Sequence, residues 1–465
     1  MDSGELPHPP PEFPVSVDAD SKSTEFRPFT ITRPHMLSFH LSWISLFSNF
    51  FSVFSIPPLL AVIRSDLHLS SSVVSASGIA SFSGAIFSRL MMGPVCDLFG
   101  PRVASASLSL ITAPVVLSVG AVTSPFGFVA VRFLIGITIA NFVSCQFWMS
   151  SMFSGNVVGR ANAVAAGWAN VGSGLAQLVM PLVYSAIVGL RISSSRAWRL
   201  AFILPATFQA STAVAVLLYG QDRPVKGKAR DEARVGVGAM KVLLHGMRNY
   251  RGWILALTYG YCFGVELTTD NIISSYFYDR FGVSLDTAGA IAASFGLANI
   301  FSRPTGGWVS DEMGKKFGMR GRLWGLWTVQ TTAGLLCVLL GRVRSLWASV
   351  VVMCCFSVFV QAASGLTFGV VPFVSKRALG VISGMTGSGG TTGAVVTQLL
   401  FFSDSKISTE NGISLMGIMM IICTLPITLM YFPDSGGMFC GPSSMRISSE
   451  QSHETSDNNY HLLCG

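Results

Sequence analysis

The stretch that decides the fold is FSRLMMGPVCDLFGPR, residues 87–102, because it returns later in the chain as FSRPTGGWVSDEMGKK, residues 301–316. The two copies are 214 residues apart. The matching residues pair as Arg89 with Arg303, Gly93 with Gly307, Asp97 with Asp311, Gly100 with Gly314, and Arg102 with Lys316. Five matches at one spacing predict a chain that is built from two related halves.

The composition predicts a protein that crosses the lipid bilayer many times. Half of the 465 residues are hydrophobic and 12% are charged, against roughly 25% charged in a soluble domain. A doubled membrane protein is typically a transporter whose two halves enclose one site. The nine cysteines contain no CxxC pair, so the sequence predicts no zinc site, and loop placement explains the net charge of +8 without nucleic acid.

The expected fold class is an all-α membrane protein with twelve transmembrane helices in two pseudo-symmetric six-helix bundles. A membrane-spanning helix needs about 20 mostly apolar residues. The segments that meet this requirement are 38–63, 72–94, 102–122, 125–150, 159–188, 198–219, 250–278, 285–308, 323–341, 346–372, 379–402 and 411–432. The bundles are therefore expected at 38–219 and 250–432.

The segments outside the bundles are polar. Residues 1–37 and 433–465 are predicted to be disordered cytosolic tails, and 220–249 a basic cytosolic linker. With both termini in the cytosol, the inner loops carry sixteen Lys and Arg residues and the outer loops eight. Because basic residues favour the cytosolic side, this count predicts cytosolic termini. The linker residues in that count are Arg223, Lys226, Lys228, Arg230, Arg234, Lys241 and Arg248.

Arg89, Arg132 and Arg303 fall inside predicted helices, where a charge is costly and marks a functional site. Arg89 precedes Asp97 by eight residues, which is ~12 Å of helix and close to the middle of a ~30 Å bilayer core. Arg303 has the same relation to Asp311. Two cations in one cavity repel unless an anion lies between them, and a guanidinium matches a planar oxyanion. The alternative is that each arginine pairs with a carboxylate or with helix-end carbonyls and only fixes packing.

The repeated pattern Gly-x-x-x-Asp-x-x-Gly-x-Arg is expected at a helix end followed by a tight turn, where the Asp accepts hydrogen bonds from a helix N-terminus. It resembles the loop signature of the major facilitator superfamily, where it acts as a conformational latch. The latch residues are Gly93, Asp97, Gly100, Arg102, Gly307, Asp311, Gly314 and Lys316. Arg132, in RFLIG, resembles the fourth-helix motif of the same superfamily, which implies a structural or coupling role.

Two glycine-rich segments, AAGWANVGSG at 165–174 and SGMTGSGGTTG at 383–393, lie in the fifth and eleventh predicted helices. Glycines allow helices to approach closely, so the segments are either tight packing alone or a pointer to the binding region. Their signature glycines are Gly167, Gly172, Gly174, Gly384, Gly387, Gly389 and Gly390.

These two segments, together with FVSCQFWMSSMF at 142–153 and YGYCFGVELTTDN at 259–271, resemble the nitrate/nitrite porter family of the major facilitator superfamily. The chain is similar to its plant high-affinity nitrate transporters across 27–432. The N-terminal tail is most similar to the vacuolar, seed-type branch. The resemblance therefore implies a multi-pass protein of the vacuolar membrane, with the plasma membrane as the alternative, and a possible small single-span accessory protein.

The resemblance also implies the site. Nitrate would be held between Arg89 and Arg303, and Asn170 of the fifth-helix signature would make a polar contact. The aromatic wall, carried over by motif position, would be Phe142, Tyr259 and Phe263. An apolar cage of this kind suits nitrate because the ion is weakly hydrated and polarizable.

Glu266 and Asp270 are four residues apart and so share one face of the seventh predicted helix, in what we take to be its outer half. They are either solvated vestibule residues or a proton site, since burial favours the protonated form of a carboxyl group. The resemblance implies coupling to protons and favours the second interpretation.

The sequence therefore predicts a secondary transporter that moves nitrate with protons by rocking two halves around a midplane site. It contains no P-loop, metal cluster or nucleophile–base arrangement, so neither an enzyme nor a cofactor is expected. Two alternatives stay open: a transporter of another small oxyanion, nitrite or phosphate, and a nitrate-binding sensor with little flux.

Overall fold

The computed structural model describes residues 13–224, 237–283, 285–375, 378–402 and 407–442. In the first half, α3 and α7 are single long helices, whereas a 3-10 turn at Ile137–Ala140 separates α5 from α6. The helices of this half are α1 (His35–Phe54), α2 (Leu60–Asp66), α3 (Ser71–Phe99), α4 (Pro101–Ser118), α5 (Pro125–Gly136), α6 (Asn141–Met152), α7 (Val158–Gly189), α8 (Ser194–Ala201) and α9 (Ile203–Tyr219).

The second half follows a helix in the linker region and contains two interrupted spans. One is interrupted between α11 and α12, and the other by a 3-10 turn at Ala298–Ile300. Its elements are α10 (Val237–Met247), α11 (Tyr250–Gly260), α12 (Phe263–Phe281), α13 (Leu285–Leu297), α14 (Ser302–Arg342), α15 (Leu346–Val370), α16 (Leu379–Phe401), α17 (Thr409–Thr424), β1 (Tyr431–Phe432) and β2 (Gly436–Gly437).

A helix occupies each of the twelve predicted spans. Within the described ranges, nine stretches are long and apolar enough to cross a membrane. One of these, Ala290–Arg342, has 53 residues, which at ~1.5 Å per residue is more than twice a ~30 Å bilayer core and so accounts for two spans. The predicted spans 250–278 and 379–402 are not among the nine, because the first carries acidic residues and the second is rich in Gly, Ser and Thr.

The two halves meet along α3 with α16 and along α7 with α14 and α15. In the first half, α3 ends at Gly100, whose φ of +85° favours glycine, and Pro101 starts α4 at once. The repeat places the second turn at Gly314, but α14 continues through that residue and bends at Gly318, where φ is +62°. We call the end of the bundle that contains these two turns the latch face.

Residues 13–34 pack against the first half, which differs from the expected disorder. Ser23 forms a parallel β-bridge with Phe153. Phe26 stacks edge-on against Phe39 and Phe153, with ring centroids 5.1 and 5.4 Å apart. Average composition did not predict this order because a few specific apolar and main-chain contacts hold the segment.

Two further segments have more structure than the sequence predicted. Part of the linker forms α10, and Gly246 in that helix packs against Val381 of α16. After α17 the chain makes the β1–β2 hairpin, in which Tyr431 pairs with Gly437. The remaining parts of the predicted tails, linker and loops lie outside the described residues: 1–12, 225–236, 284, 376–377, 403–406 and 443–465.

Candidate functional site

Arg89 lies in the middle of α3 and is completely buried. Its Nη1 donates a hydrogen bond to the main-chain oxygen of Gly387 in α16, across the two halves, at 2.7 Å. Its Nε donates to the oxygen of Ile139 at 3.4 Å. Within the described residues Arg89 forms no ion pair, so two carbonyl dipoles partly solvate its charge and no carboxylate neutralises it.

Arg303 occupies the matching position in α14 and has a different partner. Its Nη2 donates to Glu266 Oε2 at 2.7 Å, and the two side chains are only 1% and 2% exposed. Asn299 Nδ2 donates to the other carboxylate oxygen, Oε1, at 2.8 Å. The alternative considered from the sequence, an arginine paired with a carboxylate, therefore holds for Arg303 in this structure. Glu266 is at the depth of the arginine and not in an outer vestibule.

An aromatic cage surrounds the guanidinium groups. The rings of Phe142, Tyr259 and Phe263 stack on one another with centroids 5.2–6.1 Å apart. The guanidinium carbon of Arg89 is 5.0 Å from the ring centres of both Phe142 and Phe263. The guanidinium carbon of Arg303 is 5.3 Å from the ring centre of Phe263. The structure thus brings together the two arginines and the three aromatic residues that the sequence grouped, with cation–π contacts between them.

Besides the acceptor Asn299 Oδ1, three polar atoms in this cage are buried without a hydrogen-bond partner among the described residues. They are Arg89 Nη2, Arg303 Nε and Tyr259 Oη. Each is a hydrogen-bond donor, and an unsatisfied donor in an apolar interior costs about 1–3 kcal/mol. The arrangement can therefore bind a small anion that accepts several hydrogen bonds at once.

Interruptions in three helices supply main-chain and side-chain groups to the cage. The turn Ile137–Ala140 provides the carbonyl that Arg89 contacts. The break between α11 and α12 lies between Tyr259 and Phe263. The turn Ala298–Ile300 carries Asn299. Interrupted membrane helices typically mark the binding region of a transporter, because their backbone is tolerated only where it is buried in protein or lines a cavity.

The signature glycines provide the space for these contacts. A Cβ added to Gly167 would lie 2.7 Å from the Asn299 oxygen and 3.2 Å from Arg303 Cβ. A Cβ on Gly384 would lie 2.9 Å from the Arg89 oxygen, and one on Gly390 would lie 2.8 Å from the Tyr259 ring. Both glycine-rich segments therefore pack directly against the site. The other signature glycines, which also pack against neighbouring helices, are Gly172, Gly174, Gly387 and Gly389.

Three other residues singled out in the sequence have contacts of a different kind. Asn170 donates to Ala166 of its own helix at 3.0 Å, and its role as a substrate contact stays a prediction. Asp270 lies one turn beyond Glu266 on α12 and is partly exposed. Arg132 is buried, and its Nη1 lies 3.5 Å from the oxygen of Val53 in α1.

The latch residues join the two halves at the latch face. Asp311 accepts a hydrogen bond of 2.7 Å from the main-chain N–H of Arg160, near the N-terminus of α7. It also accepts one of 2.9 Å from Arg322 Nη1. The repeat placed Lys316 among the latch residues, but its side chain is exposed. Asp311 instead pairs with Arg322 at 2.9 Å and with Arg160 at 3.7 Å. In the first half, the partner of Arg102 is Asp222, whose carboxylate accepts from the Arg102 main-chain N–H at 2.9 Å.

The matching aspartate, Asp97, lies against α16. A Cβ on Gly380 would be 2.7 Å from Asp97 Oδ2, close to the N-terminus of that helix at Leu379. A Cβ on Gly307 would overlap the main chain at Gly159, as expected for small residues where helices cross. Each half therefore presents an aspartate to a helix N-terminus of the other half.

Sequence reasoning missed two residues of the cage and one of the latch. Asn299 precedes Arg303 by four residues, so in the predicted helix 285–308 the two would share one face, and this spacing was a usable signal. Phe368 packs edge-on against Phe142 and Tyr259 at 5.1 and 5.2 Å, and no pattern in the sequence marked it. Arg322 lies beyond the repeated stretch, so the repeat did not include it.

Comparison with known proteins gives the following matches. The family model of the Major Facilitator Superfamily matches residues 42–375. The chain is 60% identical over 461 residues to a protein of Arabidopsis thaliana named high affinity nitrate transporter 2.7, covering 95% of this chain and 93% of the relative. It is 57% identical to the high-affinity nitrate transporter 2.3 of Oryza sativa subsp. japonica, covering 96% of this chain and 88% of the relative.

Among solved structures, the chain resembles the human organic anion transporter MFSD10 (TETRAN), with a TM-score of 0.63 at 13% sequence identity. The match covers 85% of this chain and 99% of that chain. At this identity the similarity concerns the fold alone, and it agrees with the doubled six-helix arrangement.

Proposed function

The chain belongs to the Major Facilitator Superfamily, and we propose that it transports nitrate across a membrane, coupled to protons, by alternating access around the site of Arg89 and Arg303. The plant relatives at 57–60% identity are named nitrate transporters. The observation that carries the proposal is the convergence of two guanidinium groups, one from each half, on one buried aromatic cage.

The site suits a small planar monoanion. The cage has three unpartnered donors, and nitrate has three equivalent oxygens that can accept from them. The stacked rings provide apolar surroundings, which suit a weakly hydrated ion. A phosphate ion carries more charge and more acceptor oxygens than these donors satisfy. Glu266, which is in direct contact with Arg303, is the group that can take up a proton beside the anion, since arginine stays charged.

The latch face supports the transport cycle. In this structure the halves are joined there through Asp311, Arg322 and the N-terminus of α7. Opening these contacts would expose the site to that side, which the distribution of basic residues predicts to be cytosolic. The vacuolar membrane stays a prediction, because this chain is almost equally identical in sequence to the different named nitrate transporters, at 60% and 57%.

The test is nitrate flux by the purified protein in proteoliposomes, with nitrite and phosphate as competitors. Arg89→Lys and Arg303→Lys keep the charge but lose the planar fork. We expect each to lower nitrate affinity about ten- to a hundredfold, because one charge-assisted hydrogen bond contributes about 1.5–3 kcal/mol. Binding without flux in the wild type would favour a sensor, and stronger inhibition by phosphate than by unlabelled nitrate would favour another oxyanion.

A further inference from the structure

The two arginines of the site are chemically unequal. Arg303 is neutralised by Glu266 at 2.7 Å in a fully buried pair. Arg89 has only main-chain oxygens as hydrogen-bond partners among the described residues, those of Gly387 and Ile139. Before any anion enters, Arg89 therefore carries the uncompensated charge of the site.

The two copies of the repeat differ in sequence at the positions that cause this inequality. The spacing of 214 residues that matches Arg89 with Arg303 places Ser52 opposite Glu266 and Ala85 opposite Asn299. The carboxylate and the amide that holds it thus belong to the second half only. The symmetry of the halves is broken at the residues that contact Arg303.

A bound anion and the Glu266 carboxylate compete for Arg303. Both would lie within a few ångströms of the same guanidinium, in an interior where charges interact more strongly than in water. Protonation of Glu266 removes the competing charge and leaves a carboxyl group that still accepts a hydrogen bond. Binding of the anion at Arg303 and binding of the proton to Glu266 therefore favour each other.

We propose that Arg89 is a permanent anion receptor and that Arg303 becomes one only when Glu266 takes up a proton. The proposal rests on nitrate transport as the function. In the loading step a proton from the aqueous side binds a Glu266 oxygen, and the Arg303–Glu266 ion pair is replaced by an Arg303–nitrate contact. When nitrate leaves on the other side, Glu266 releases the proton and the ion pair forms again.

The groups that face Glu266 come from several elements. Arg303 comes from α14, Asn299 from the turn before it, and Ser364, whose Oγ is 3.4 Å from Oε2, from α15. Asn299 is a positioning residue, because its N–H donates to Oε1 and holds the carboxylate against Arg303. Among the described residues, Asp270, Tyr259 and Cys262 are further charged or titratable neighbours, and they lie in α12, at the end of α11 or between the two helices.

The test measures nitrate binding to the full chain in lipid nanodiscs, without flux, between about pH 5 and pH 8. We expect the wild-type nitrate Kd to rise toward about tenfold per pH unit at the alkaline end, with about one proton taken up per nitrate bound in weakly buffered solution. Glu266→Gln should bind nitrate with a Kd that no longer changes with pH and with no proton uptake. Glu410→Gln, which removes another Glu–Arg pair, with Arg280 at 3.6 Å, should keep the wild-type pH dependence.

Asn299→Leu supplies a second variant in case Glu266→Gln does not fold. It should move the midpoint of the affinity–pH curve to higher pH, and Asn299→Ser, which keeps a donor, should move it less. Wild-type binding that is independent of pH, with no proton uptake, overturns the inference and leaves nitrate transport standing. Loss of nitrate binding in a folded Glu266→Gln protein also overturns it. No nitrate binding by the wild type at any pH would instead refute the proposed function.

Discussion

At Tyr259 a hydroxyl group is buried in the cage with no hydrogen-bond partner among the described residues, beside the two guanidinium groups. The ring is held by its stacking on Phe263 at 5.2 Å and by Phe368, so the hydroxyl adds little to the fold. A buried hydroxyl that has no partner among the described residues and adds no packing is best explained by a contact to the substrate.

We therefore predict that Tyr259→Phe weakens nitrate binding up to about tenfold, because a neutral hydrogen bond contributes about 0.5–1.5 kcal/mol. The melting temperature without nitrate should stay the same or rise, since an unpaired polar atom is removed. The measurement is a nitrate titration together with a thermal unfolding curve. Unchanged affinity would remove the hydroxyl from the site.

The site residues differ in how far the sequence predicted them. Arg89 and Arg303 were predicted from the sequence repeat and from the rule that a charge inside a membrane helix marks a functional site. No ordinary packing role requires a matched pair of arginines. Glu266 was placed too far out, although it is only two residues from 264, the centre of the predicted span 250–278. Its pairing with Arg303 depends on the crossing of α12 and α14, which a single sequence does not contain.

Among the elements, the bend at Gly318 within α14 brings together the contacts around Asp311. Asp311 is fully buried, and Arg322 reaches back to it from the helix beyond Gly318. Arg322 also lies 2.9 Å from Ser310 Oγ and 3.3 Å from the Gly155 oxygen of the other half. The repeat predicted an aspartate beside a helix N-terminus; in the structure Asp311 contacts the N-terminus of α7, and Arg322, which lies beyond the bend, pairs with it.

We predict that Asp311→Ala slows nitrate turnover much more than it weakens nitrate binding. The change leaves Arg322 buried without its carboxylate, and removing one partner of a buried ion pair costs about 3–5 kcal/mol. The cost falls on the closed latch face, ~12 Å from Arg303 by helix rise. Glu312→Gln, which removes an exposed pair with Lys315, is the control and should behave like the wild type. An Asp311→Ala protein that loses nitrate affinity but keeps its turnover rate would contradict this assignment.

At the opposite end of the first half, α2 is tied to α8 by Asp66. Its carboxylate accepts hydrogen bonds from Arg199 at 2.6 Å and from Trp198 at 3.1 Å. The Arg199 guanidinium holds the pKa of the Asp66 carboxyl below its usual range. A carboxyl group with a lowered pKa in the folded state stabilises the fold above its unfolded pKa, and that contribution is lost as the pH falls.

We therefore predict that Asp66→Asn lowers the melting temperature at neutral pH by roughly 2 °C, because a partly exposed ion pair contributes up to about 1 kcal/mol. The difference from the wild type should narrow as the pH falls through the carboxyl range, where Asp66 itself becomes protonated. Thermal unfolding in detergent at several pH values measures this. A melting-temperature difference that does not change with pH would show that the charge of Asp66 does not contribute to stability.

For the molecule as a whole, the doubled sequence predicted the doubled bundle, but the function depends on where the two halves differ. Gly100 and Gly318 shape both turns, and Asp97 and Asp311 lie against helices of the opposite half. Glu266 and Asp270 have no acidic counterparts at the same spacing in the first half, where Ser52 and Ile56 stand instead. The two halves therefore share the same helical scaffold, but only the second half carries carboxylates at these positions.

That asymmetry bears on how the transporter uses energy. Nitrate entry against a negative potential costs ~2.3 kcal/mol per charge for each 100 mV. One proton per nitrate cancels the charge, so the membrane potential would neither drive nor oppose transport. Two protons per nitrate move net positive charge and let the potential drive uptake. Besides the two arginines, the N-terminal half of α12 supplies two carboxylates, Glu266 and Asp270, one helical turn apart.

We predict that the wild type carries about two protons per nitrate and gives an inward current on nitrate addition. Glu266 takes up one proton as nitrate binds, and Asp270 carries a second proton that is already bound before nitrate arrives, so nitrate binding itself still takes up about one. Asp270→Asn should continue to take up labelled nitrate while its current falls toward zero, because one coupled proton is lost. Glu266→Gln should lose the stimulation by an acid-side pH gradient. Current and tracer uptake recorded on the same cells give the charge per nitrate. An unchanged ratio in Asp270→Asn would exclude that carboxylate from coupling, and a wild type insensitive to external pH would identify a uniporter or an anion exchanger instead.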